Sequence, residues 1–404
     1  MSLPKEEKSA AFRVLLIGGT GTIGSDVLMR SIEKGHRTYV LNRGRTKKEL
    51  PEGAFFLQGD IRTLEDRVHS VLGDLQFDVV VDFLSYSVSD LARTLRIFEK
   101  RCRQLIFISS VGAYDRRNAQ GKLREDMPAT GNPVWEYSVN KAACEHFLKT
   151  YQFSDDVSYT VVRPAITYGN TRIPYGIMPV YGYHWTFAGR ILAGKPVFLW
   201  DQGKALATVM HTEDFACALV DLFGNPKAKN EIFNLCGDEP LSWREILSIV
   251  GKVLNCEPLT VDIPSEYAAG TLPAIRGILL GDRALDACYD NHKLKEACPD
   301  FSASVSISEG LERTVKYYRE HHFLKGIDYQ WDAMMDRLIA GYLRKKNPGT
   351  PLLSRLVFFD YLGNATWRDR FLYFVYRYMP SFVQKTVDVI RRACRKAGRF
   401  LIRK

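Results

Sequence analysis

Residues 13–24 read Arg-Val-Leu-Leu-Ile-Gly-Gly-Thr-Gly-Thr-Ile-Gly, a short apolar run followed by a glycine-rich turn. The run has the length and composition of a buried strand, and the next ten residues repeat apolar side chains at helical spacing until Gly35. Gly18, Gly21 and Gly24 allow a tight turn and a close approach of the helix to its strand. This stretch therefore predicts a strand, a turn and a helix whose N-terminus faces the turn.

Four further apolar runs follow within the first 110 residues, and helical patterns separate the later ones. The runs lie at 38–41, 54–57, 77–81 and 104–108, and the helical segments lie at 64–72 and 89–101. Near-continuous apolar strands divided by helices are typical of a parallel sheet that is covered on both faces. The sequence therefore predicts a doubly wound α/β domain, a Rossmann fold, over residues 11–167.

The rest of the chain divides into three parts by its pattern. Residues 1–10 form a polar tail, residues 168–330 have tyrosine- and glycine-rich loops, and residues 331–404 are basic and rich in aromatic side chains. We expect the middle part to be a smaller α/β substrate-binding domain that is partly interleaved with the first domain. We expect the last part to be a helical C-terminal extension.

The composition is that of a globular protein, since 46% of the 404 residues are apolar and 25% are charged. The N-terminus lacks the apolar core of a secretory signal, and no apolar run reaches the roughly 18 residues that a spanning helix needs. We therefore expect a cytoplasmic location. The eight cysteines are scattered, and neither they nor the histidines show the spacing of zinc ligands. We expect no metal site.

The net charge of +10 is concentrated in residues 343–404, where 15 Lys and Arg stand against three Asp. This local balance of +12 leaves −2 for the rest of the chain. Val383, Val387 and Ile390 begin an apolar stripe at helical spacing, and most of the nearby cations lie outside it. Such a helix fits the surface of an anionic membrane, but the stripe could instead dock on the enzyme or a second subunit. Nucleic acid is a third, less favoured partner.

The glycine-rich turn is also a predicted cofactor site. Unpaired backbone N–H groups and the helix dipole attract phosphate, so we expect a dinucleotide at Gly18, Gly21, Thr22, Ile23 and Gly24. Glycine keeps side chains out of the path of the pyrophosphate. The alternative, a glycine-rich turn without a ligand, is less favoured because a strand and a helix flank the turn.

The residues after the second and third strands bear on which dinucleotide is bound. A carboxylate normally follows the second strand and binds the adenosine ribose, but this chain has Asn42, Arg43 and Arg45 there. An arginine suits a 2′-phosphate, so we expect NADP rather than NAD, unless these arginines belong to a solvated loop. Asp60 and Ile61 are placed to contact the adenine, unless Asp60 only caps a turn.

Tyr137 and Lys141, four residues apart, form the predicted catalytic pair. Residues at this spacing share a helix face, so the ammonium lies beside the phenol and stabilises the phenolate. A tyrosine that normally titrates near ~10 can then accept a proton closer to neutral pH. The alternative is a buried tyrosine with a satisfied hydroxyl and a surface lysine. This pair lies downstream of the glycine-rich turn in the sequence, and the two motifs together predict a site for hydride transfer.

These motifs, in this order, resemble the extended short-chain dehydrogenase/reductase family, and within it the NAD-dependent epimerase/dehydratase branch. Residues 163–169 and 209–216 are similar to two further segments of that family. The resemblance implies that Ser110, four residues before Tyr114, orients the substrate oxygen. It also implies that Lys141 hydrogen-bonds the nicotinamide ribose.

Two departures from the family pattern limit which reactions and substrates we expect. Dehydratases carry an acid and a base where this chain has Val111 and Gly112, so elimination of water is disfavoured. The arginine that often clamps a nucleotide diphosphate falls on Ala207. Arg172 or Arg190 would supply a replacement cation, unless the substrate lacks a nucleotide.

We therefore expect an NAD(P)-dependent enzyme that acts on a small sugar substrate and forms a homodimer. A nucleotide-sugar epimerase with transient hydride transfer is the first hypothesis, with Tyr168 among the substrate contacts. A net NADPH-dependent reductase of keto-sugars is the alternative. A second alternative is a protein that retains the fold without catalysis and is recruited to RNA or to a membrane.

Overall fold

The computed structural model of the protein describes residues 11–44, 50–180 and 182–401. The predicted polar tail at 1–10 and Arg45 lie outside the described residues. The strands are β1 (Arg13–Ile17), β2 (Arg37–Asn42), β3 (Ala54–Gln58), β4 (Phe77–Asp82), β5 (Cys102–Ile108), β6 (Ser158–Pro164), β7 (Ile166–Tyr168), β8 (Val197–Trp200), β9 (Leu206–Ala207), β10 (Val209–His211), β11 (Glu231–Leu235), β12 (Leu241–Ser242) and β13 (Thr260–Ile263). The α-helices are α1 (Thr22–Glu33), α2 (Glu65–Leu72), α3 (Val88–Phe98), α4 (Glu136–Thr150), α5 (Trp185–Leu192), α6 (Thr212–Asp221), α7 (Trp243–Leu254), α8 (Ser265–Thr271), α9 (Arg276–Ile278), α10 (His292–Ala297), α11 (Ile307–Glu320), α12 (Tyr329–Lys346), α13 (Trp367–Tyr378) and α14 (Ser381–Leu401).

A seven-stranded parallel sheet organises the first part of the chain. Its strand order is β11-β6-β5-β4-β1-β2-β3. From β1 the chain runs outward to β3 and then crosses to β4 on the other side of β1, so the order reverses between β1 and β4. In doubly wound sheets, ligands bind at this switch point, beyond the carboxyl ends of the strands. The predicted doubly wound fold is confirmed.

The start of α4 explains how two predicted catalytic residues come to share a face. Glu136 opens the helix, and its carboxylate suits the positive end of the helix dipole. Tyr137 therefore lies in the first turn and Lys141 one turn later. Their spacing in the sequence becomes proximity in space because the helix begins immediately before them.

The described chain forms two compact units. The first unit contains residues up to 174 together with 205–242 and 277–314, and the second contains 175–204, 243–276 and from 315 onward. The second unit is interleaved with the first along the sequence, and its bounds differ from the predicted 168–330. The physical reason is strand pairing, because β11 adds an edge strand to the large sheet and β10 pairs with β7.

The predicted C-terminal extension is helical, but it is not a separate domain. Tyr329 on α12 and Tyr373 and Tyr376 on α13 belong to one buried apolar cluster of the second unit. The Tyr373 hydroxyl also donates a hydrogen bond to Asp336 on α12. The predicted boundary at residue 331 is therefore wrong, since it falls inside α12.

Candidate active site

The glycine-rich turn joins β1 to α1, and its glycines have different surroundings. Gly18 has a φ of +86°, in the left-handed region, and a Cβ there would lie 2.6 Å from Cγ of Leu84. A Cβ on Gly24 would lie 2.7 Å from Cα of Gly19, so only glycine lets the helix approach the turn this closely. A Cβ on Gly21 would meet nothing within 4 Å. Gly21 thus faces open space at the N-terminus of α1, which fits a dinucleotide phosphate.

Asn42 links the end of β2 to the glycine-rich turn. Its Nδ2 donates a hydrogen bond to Thr20 Oγ1 over 3.3 Å, and its Oδ1 accepts one from the backbone N–H of Gly44 over 2.8 Å. These three residues border a cavity of about 410 Å³, so the predicted ribose contact at Asn42 adjoins open space. Arg43 is exposed in the same segment. The preference for NADP over NAD stays a prediction.

Asp60 and Ile61, after β3, both have local structural partners. The Asp60 carboxylate accepts a hydrogen bond from the backbone N–H of Arg62 over 3.1 Å, and so caps its own turn. The side chain of Ile61 is buried in the apolar core. An adenine contact at these residues stays a prediction, and at Ile61 it would involve the backbone.

Ser110, Tyr137 and Lys141 line one cavity of about 300 Å³ in the first unit. Ser110 lies just beyond the end of β5, and the other two lie on α4. Ile23, in the first turn of α1, borders the same cavity. The structure therefore brings the three predicted catalytic residues together beside the helix that follows the glycine-rich turn.

Tyr137 is surrounded by aromatic rings. The ring centroids of Trp135 and Tyr86 lie 4.7 Å and 6.2 Å from that of Tyr137. Burial raises the pKa of the Tyr137 phenol, although a hydrogen bond with Ser110 and the charges of two nearby arginines act in the opposite direction. From the sequence we expect a lowered pKa for Tyr137, but the pKa is raised, because the cost of desolvating the phenolate outweighs the effect of the nearby cations. The phenol therefore keeps its proton and is suited to donate it.

Lys141 is buried next to the cavity. Its Nζ donates hydrogen bonds to the carbonyl oxygens of Ser85 and Ile108, each over 2.8 Å, and lies 5.9 Å from the centroid of the Tyr137 ring. Burial lowers the pKa of Lys141 to about 8, while the carboxylate of Asp82 acts in the opposite direction. Two backbone carbonyl groups therefore hold the ammonium group near the Tyr137 phenol.

Asp82, at the end of β4, holds the loop that positions Lys141. Its carboxylate accepts hydrogen bonds from the backbone N–H groups of Leu84 and Ser85 over 2.8 Å and 3.0 Å. It also accepts hydrogen bonds from the hydroxyls of Ser85 and Thr94 over 2.6 Å and 2.8 Å. Sequence reasoning missed this residue, although an aspartate at the end of a buried strand was the available signal.

The neighbouring serines 109 and 110 have different partners. Ser109 is buried, and its Oγ donates a hydrogen bond of 2.6 Å to Glu145, which pairs with Arg163 over 2.6 Å. Ser110 is less buried and lines the cavity with Tyr137, and its Oγ accepts a hydrogen bond from the backbone N–H of Gly112 over 3.0 Å. The geometry therefore supports the choice of Ser110 as the serine that faces the substrate.

Cationic side chains border the cavity, and sequence reasoning missed one of them, Arg283. Arg172 and Arg283 line it together with Asp282, and Asp282 pairs with both Arg283 and Arg116. Among the described residues that line the cavity, Asp282 alone carries a carboxylate. Burial, together with the charges of Arg172 and Arg116, lowers the pKa of Arg283. Positive charge thus exceeds negative charge here, which suits an anionic ligand.

Trp135 packs against the segment that carries Asp282 and Arg283. A Cβ on Gly281 would lie 2.6 Å from Cβ of Trp135, and one on Gly277 would lie 2.9 Å from its Cδ1. Two glycines four residues apart therefore let this segment approach the indole closely. That spacing is a signal in the sequence for the contact, whereas nothing local to Arg283 marks it as a site residue.

Two residues predicted to bind substrate lie elsewhere. Tyr168 is buried, and its hydroxyl donates a hydrogen bond to the carbonyl oxygen of Ser306 over 3.3 Å. Arg190 is fully buried in the second unit, where it pairs with Asp332 and Asp336, each over 2.6 Å. Both assignments are wrong, because the interior of the protein already provides partners for these polar groups. Of the three residues predicted to contact the substrate, only Arg172 lines the cavity.

Comparison with known proteins adds independent information. The model of the NAD dependent epimerase/dehydratase family matches residues 14–236, more than half of the chain. The 2'-dehydrokanamycin reductase of Streptomyces kanamyceticus is 28% identical over 269 residues, which cover 67% of this chain and 73% of that relative. The chloroplast stem-loop binding protein of 41 kDa b of Arabidopsis thaliana is 29% identical over 257 residues, which cover 60% of this chain and 64% of that relative, slightly less than two thirds.

Solved structures share the fold. The UDP-glucuronic acid 4-epimerase from Bacillus cereus, in complex with UDP-glucuronic acid and NAD, matches with a TM-score of 0.61 and 18% identity. The match covers 76% of this chain and 99% of that one. At this identity the likeness shows the fold alone, whereas the family model matches residues 14–236, a range that contains the glycine-rich turn and the pair on α4. The chain belongs to the NAD-dependent epimerase/dehydratase family.

Proposed function

We propose that the protein is a nucleotide-sugar epimerase that acts by transient hydride transfer. The observation that carries the proposal is that Ser110, Tyr137 and Lys141 line one cavity, which also borders the first turn of α1. NAD or NADP would be held at residues 18–24 and, when bound, exchanges a hydride reversibly with a carbon of the substrate. Family membership supports this chemistry.

The surroundings of the three residues support a role for each. The Ser110 hydroxyl, which lines the cavity with Tyr137, orients the substrate oxygen. A phenol with the ordinary pKa near ~10 is protonated at neutral pH, and burial raises the pKa of Tyr137 further. Tyr137 therefore protonates the oxygen as a ketone is reduced and takes the proton back in the reverse direction. Lys141 stabilises the phenolate that exists between these two steps.

The excess positive charge at the cavity supports an anionic substrate. Arg172 and Arg283 outnumber Asp282, which is also shared with Arg116. Guanidinium groups bind phosphate and carboxylate through paired hydrogen bonds. These arginines would replace the clamp that is missing at Ala207, a buried residue of β9. A nucleotide sugar offers a diphosphate, and a nucleotide-linked uronic acid offers a carboxylate as well.

A net reductase of keto-sugars is the second candidate. The relative from Streptomyces kanamyceticus is named a reductase, and a protonated Tyr137 suits the direction of ketone reduction. The two functions differ in cofactor use. An epimerase leaves the nicotinamide cofactor unchanged after each turnover, whereas a reductase consumes one NADPH for each product molecule.

Replacement of Tyr137 by phenylalanine tests the catalytic assignment. The protein is incubated with UDP-glucose and with UDP-glucuronic acid, and the epimer is quantified while nicotinamide absorbance is followed. We expect Tyr137→Phe to lower turnover by about 100- to 10,000-fold, the usual contribution of a positioned acid–base group, with an unchanged melting temperature. Tyr151→Phe is the matched control, because Tyr151 follows the same helix and its hydroxyl donates to Glu99.

Other outcomes separate the remaining alternatives. Steady NADPH consumption with a keto-sugar, lost in Tyr137→Phe, would replace the epimerase by the reductase. Unchanged turnover in Tyr137→Phe would refute the catalytic role of Tyr137. No turnover by the wild type would instead favour a protein that keeps the fold for binding, as the name of the Arabidopsis relative indicates for that protein. The homodimer and the cytoplasmic location stay predictions.

A further inference from the structure

Helix α13 exposes a row of aromatic side chains to solvent. Trp367, Phe371, Phe374 and Tyr378 follow one another at spacings of four, three and four residues, so they form one stripe along the helix. Trp367 is 80% exposed, and the other three are about half exposed. We call this stripe the aromatic ridge. A row of this kind is unusual on a surface that meets only water.

Helix α14 has one packed face and one exposed apolar face. Val383 and Val387 pack against the apolar cluster of α12 and α13. Phe382 and Val389, seven residues apart, are 68% and 64% exposed, and Ile390 is also exposed. The apolar stripe predicted from the sequence therefore divides, since its first two residues dock on the second unit and Ile390 does not.

Exposed cations accompany these apolar side chains. Arg368 and Arg370 are exposed on α13, and Lys385 and Arg392, again seven residues apart, are exposed on α14. The segment from 343 to the C-terminus has a net charge of +12. The surface formed by α13 and α14 thus combines exposed aromatic and aliphatic groups with exposed cations.

We propose that the α13–α14 surface binds the surface of an anionic lipid bilayer. Tryptophan and tyrosine favour the boundary between water and lipid, and phenylalanine and aliphatic side chains enter the adjoining acyl region. Each cation close to an anionic membrane strengthens binding by about fivefold. In the described part of the chain, no helix has the length and apolarity to span a bilayer.

Two other occupants fit these observations less well. A symmetric dimer through this surface would place the same basic patch against its own copy, and the like charges would repel. Nucleic acid would match the charge and stack on the aromatic ridge, but it has no use for the exposed aliphatic groups of Val389 and Ile390. An anionic bilayer accommodates all three classes of side chain.

Point variants of the full-length chain test the proposal. Truncation after Tyr342 would remove Tyr373, a partner of the buried Asp336, so it would confuse binding with folding. The triple variant Trp367→Ser, Phe371→Ser, Phe382→Ser changes exposed side chains only. Leu64→Ser, at a residue that is 70% exposed in the first unit, is the matched control.

Sedimentation with vesicles is the main measurement. We expect the wild type and Leu64→Ser to sediment with vesicles that contain phosphatidylglycerol but not with pure phosphatidylcholine vesicles, and binding to fall as salt is added. The triple variant should bind at least tenfold more weakly with an unchanged melting temperature. The double variant Lys385→Gln, Arg392→Gln should bind more weakly by about fivefold for each cation removed.

Two results would overturn the proposal. The first is wild-type protein that does not sediment with anionic vesicles, and the second is equal sedimentation of the wild type and the triple variant. If the first result comes with another interaction that the triple variant loses, that interaction identifies the occupant of the surface. A dimer seen by light scattering would then identify a second copy as the occupant, and a gel shift with RNA would identify nucleic acid.

Discussion

Arginines at the candidate active site and arginines in the interior of the second unit have different surroundings. In the first unit, Arg172 and Arg283 border the candidate active site with Asp282, a carboxylate that Arg116 also uses. In the second unit, two cations and two carboxylates form a closed group. We call this group the ionic cluster, and its members are Arg190, Lys195, Asp332 and Asp336.

The ionic cluster balances its charges, with two cations against two carboxylates. Arg190 contacts both aspartates over 2.6 Å, and Lys195 contacts Asp332 and Asp336 over 2.8 Å and 2.7 Å. The Tyr361 hydroxyl also donates to Asp332 over 2.7 Å. Such a group can offset the cost of burying charge because every charge has its partner within the protein.

The comparison indicates that the ratio of cations to carboxylates around an arginine determines its role. Where cations and carboxylates are equal in number, the group closes on itself and stabilises the packing of α5 against α12. Where cations exceed carboxylates, as at the active-site cavity, the charge is complementary to an anion that comes from outside. Substitutions at the two places should therefore act on different properties, stability in one and substrate binding in the other.

Loss of one cation from the ionic cluster should have the largest effect on stability. Arg190→Met leaves Lys195 to balance both Asp332 and Asp336, so one buried negative charge has no counter-charge. We expect the free energy of unfolding to fall by about 3–5 kcal/mol, as measured by chemical denaturation.

Arg313→Met is the matched control for this prediction. Arg313 also contacts two carboxylates, Glu213 and Glu309, but its side chain is 40% exposed. Solvent screens such pairs, so we expect a loss below about 1 kcal/mol. Equal effects of the two substitutions would show that the ionic cluster does not differ from a surface pair.

Lys141→Met tests a buried cation of the active site through the dependence of stability on pH. Burial lowers the pKa of Lys141 to about 8, below its ordinary value near ~10.4. Between these values the unfolded chain binds a proton that the folded chain does not, so folding becomes more favourable as pH rises. The variant lacks this titration. We therefore expect the stability of the wild type relative to the variant to rise by about 2 kcal/mol between about pH 7 and about pH 10.

The control for the pH series is Lys316→Met, which changes a lysine that is 76% exposed on α11. Its stability should follow that of the wild type across the range. Tyrosines and cysteines that titrate in the unfolded chain affect all three proteins alike and cancel in the difference. Parallel profiles for the wild type and Lys141→Met would contradict a pKa lowered by burial.

The fold was predictable because it depends on local patterns. The apolar runs predicted at 38–41 and 104–108 became β2 and β5 with boundaries shifted by two residues or fewer. The glycine-rich turn and the pair on α4 were also identifiable, since each motif is contained within one element and the next. Patterns of this kind, which depend only on spacing along the chain, can be interpreted from a single sequence.

The misassigned residues depend on distant partners. Arg190 is neutralised by Asp332, 142 residues further along the chain, and nothing near Arg190 distinguishes a buried ion pair from a substrate ligand. Arg283 was missed for the converse reason, because it joins the cavity only when its segment packs on Trp135. The raised pKa of Tyr137 likewise follows from burial, which the spacing to Lys141 does not reveal.

Removal of a cation from the active site should barely change stability and should instead weaken substrate binding. In Arg283→Met, Asp282 retains Arg116 as a partner, and the repulsion between Arg283 and Arg172 disappears. We therefore expect the free energy of unfolding to change by less than about 1 kcal/mol, while KM for UDP-glucuronic acid rises by roughly tenfold, the value of one charge-assisted hydrogen bond. A loss of stability as large as that in Arg190→Met, with KM unchanged, would mean that the arginines of the cavity form a second closed group. In that event the anion-binding role would have to be assigned to other residues.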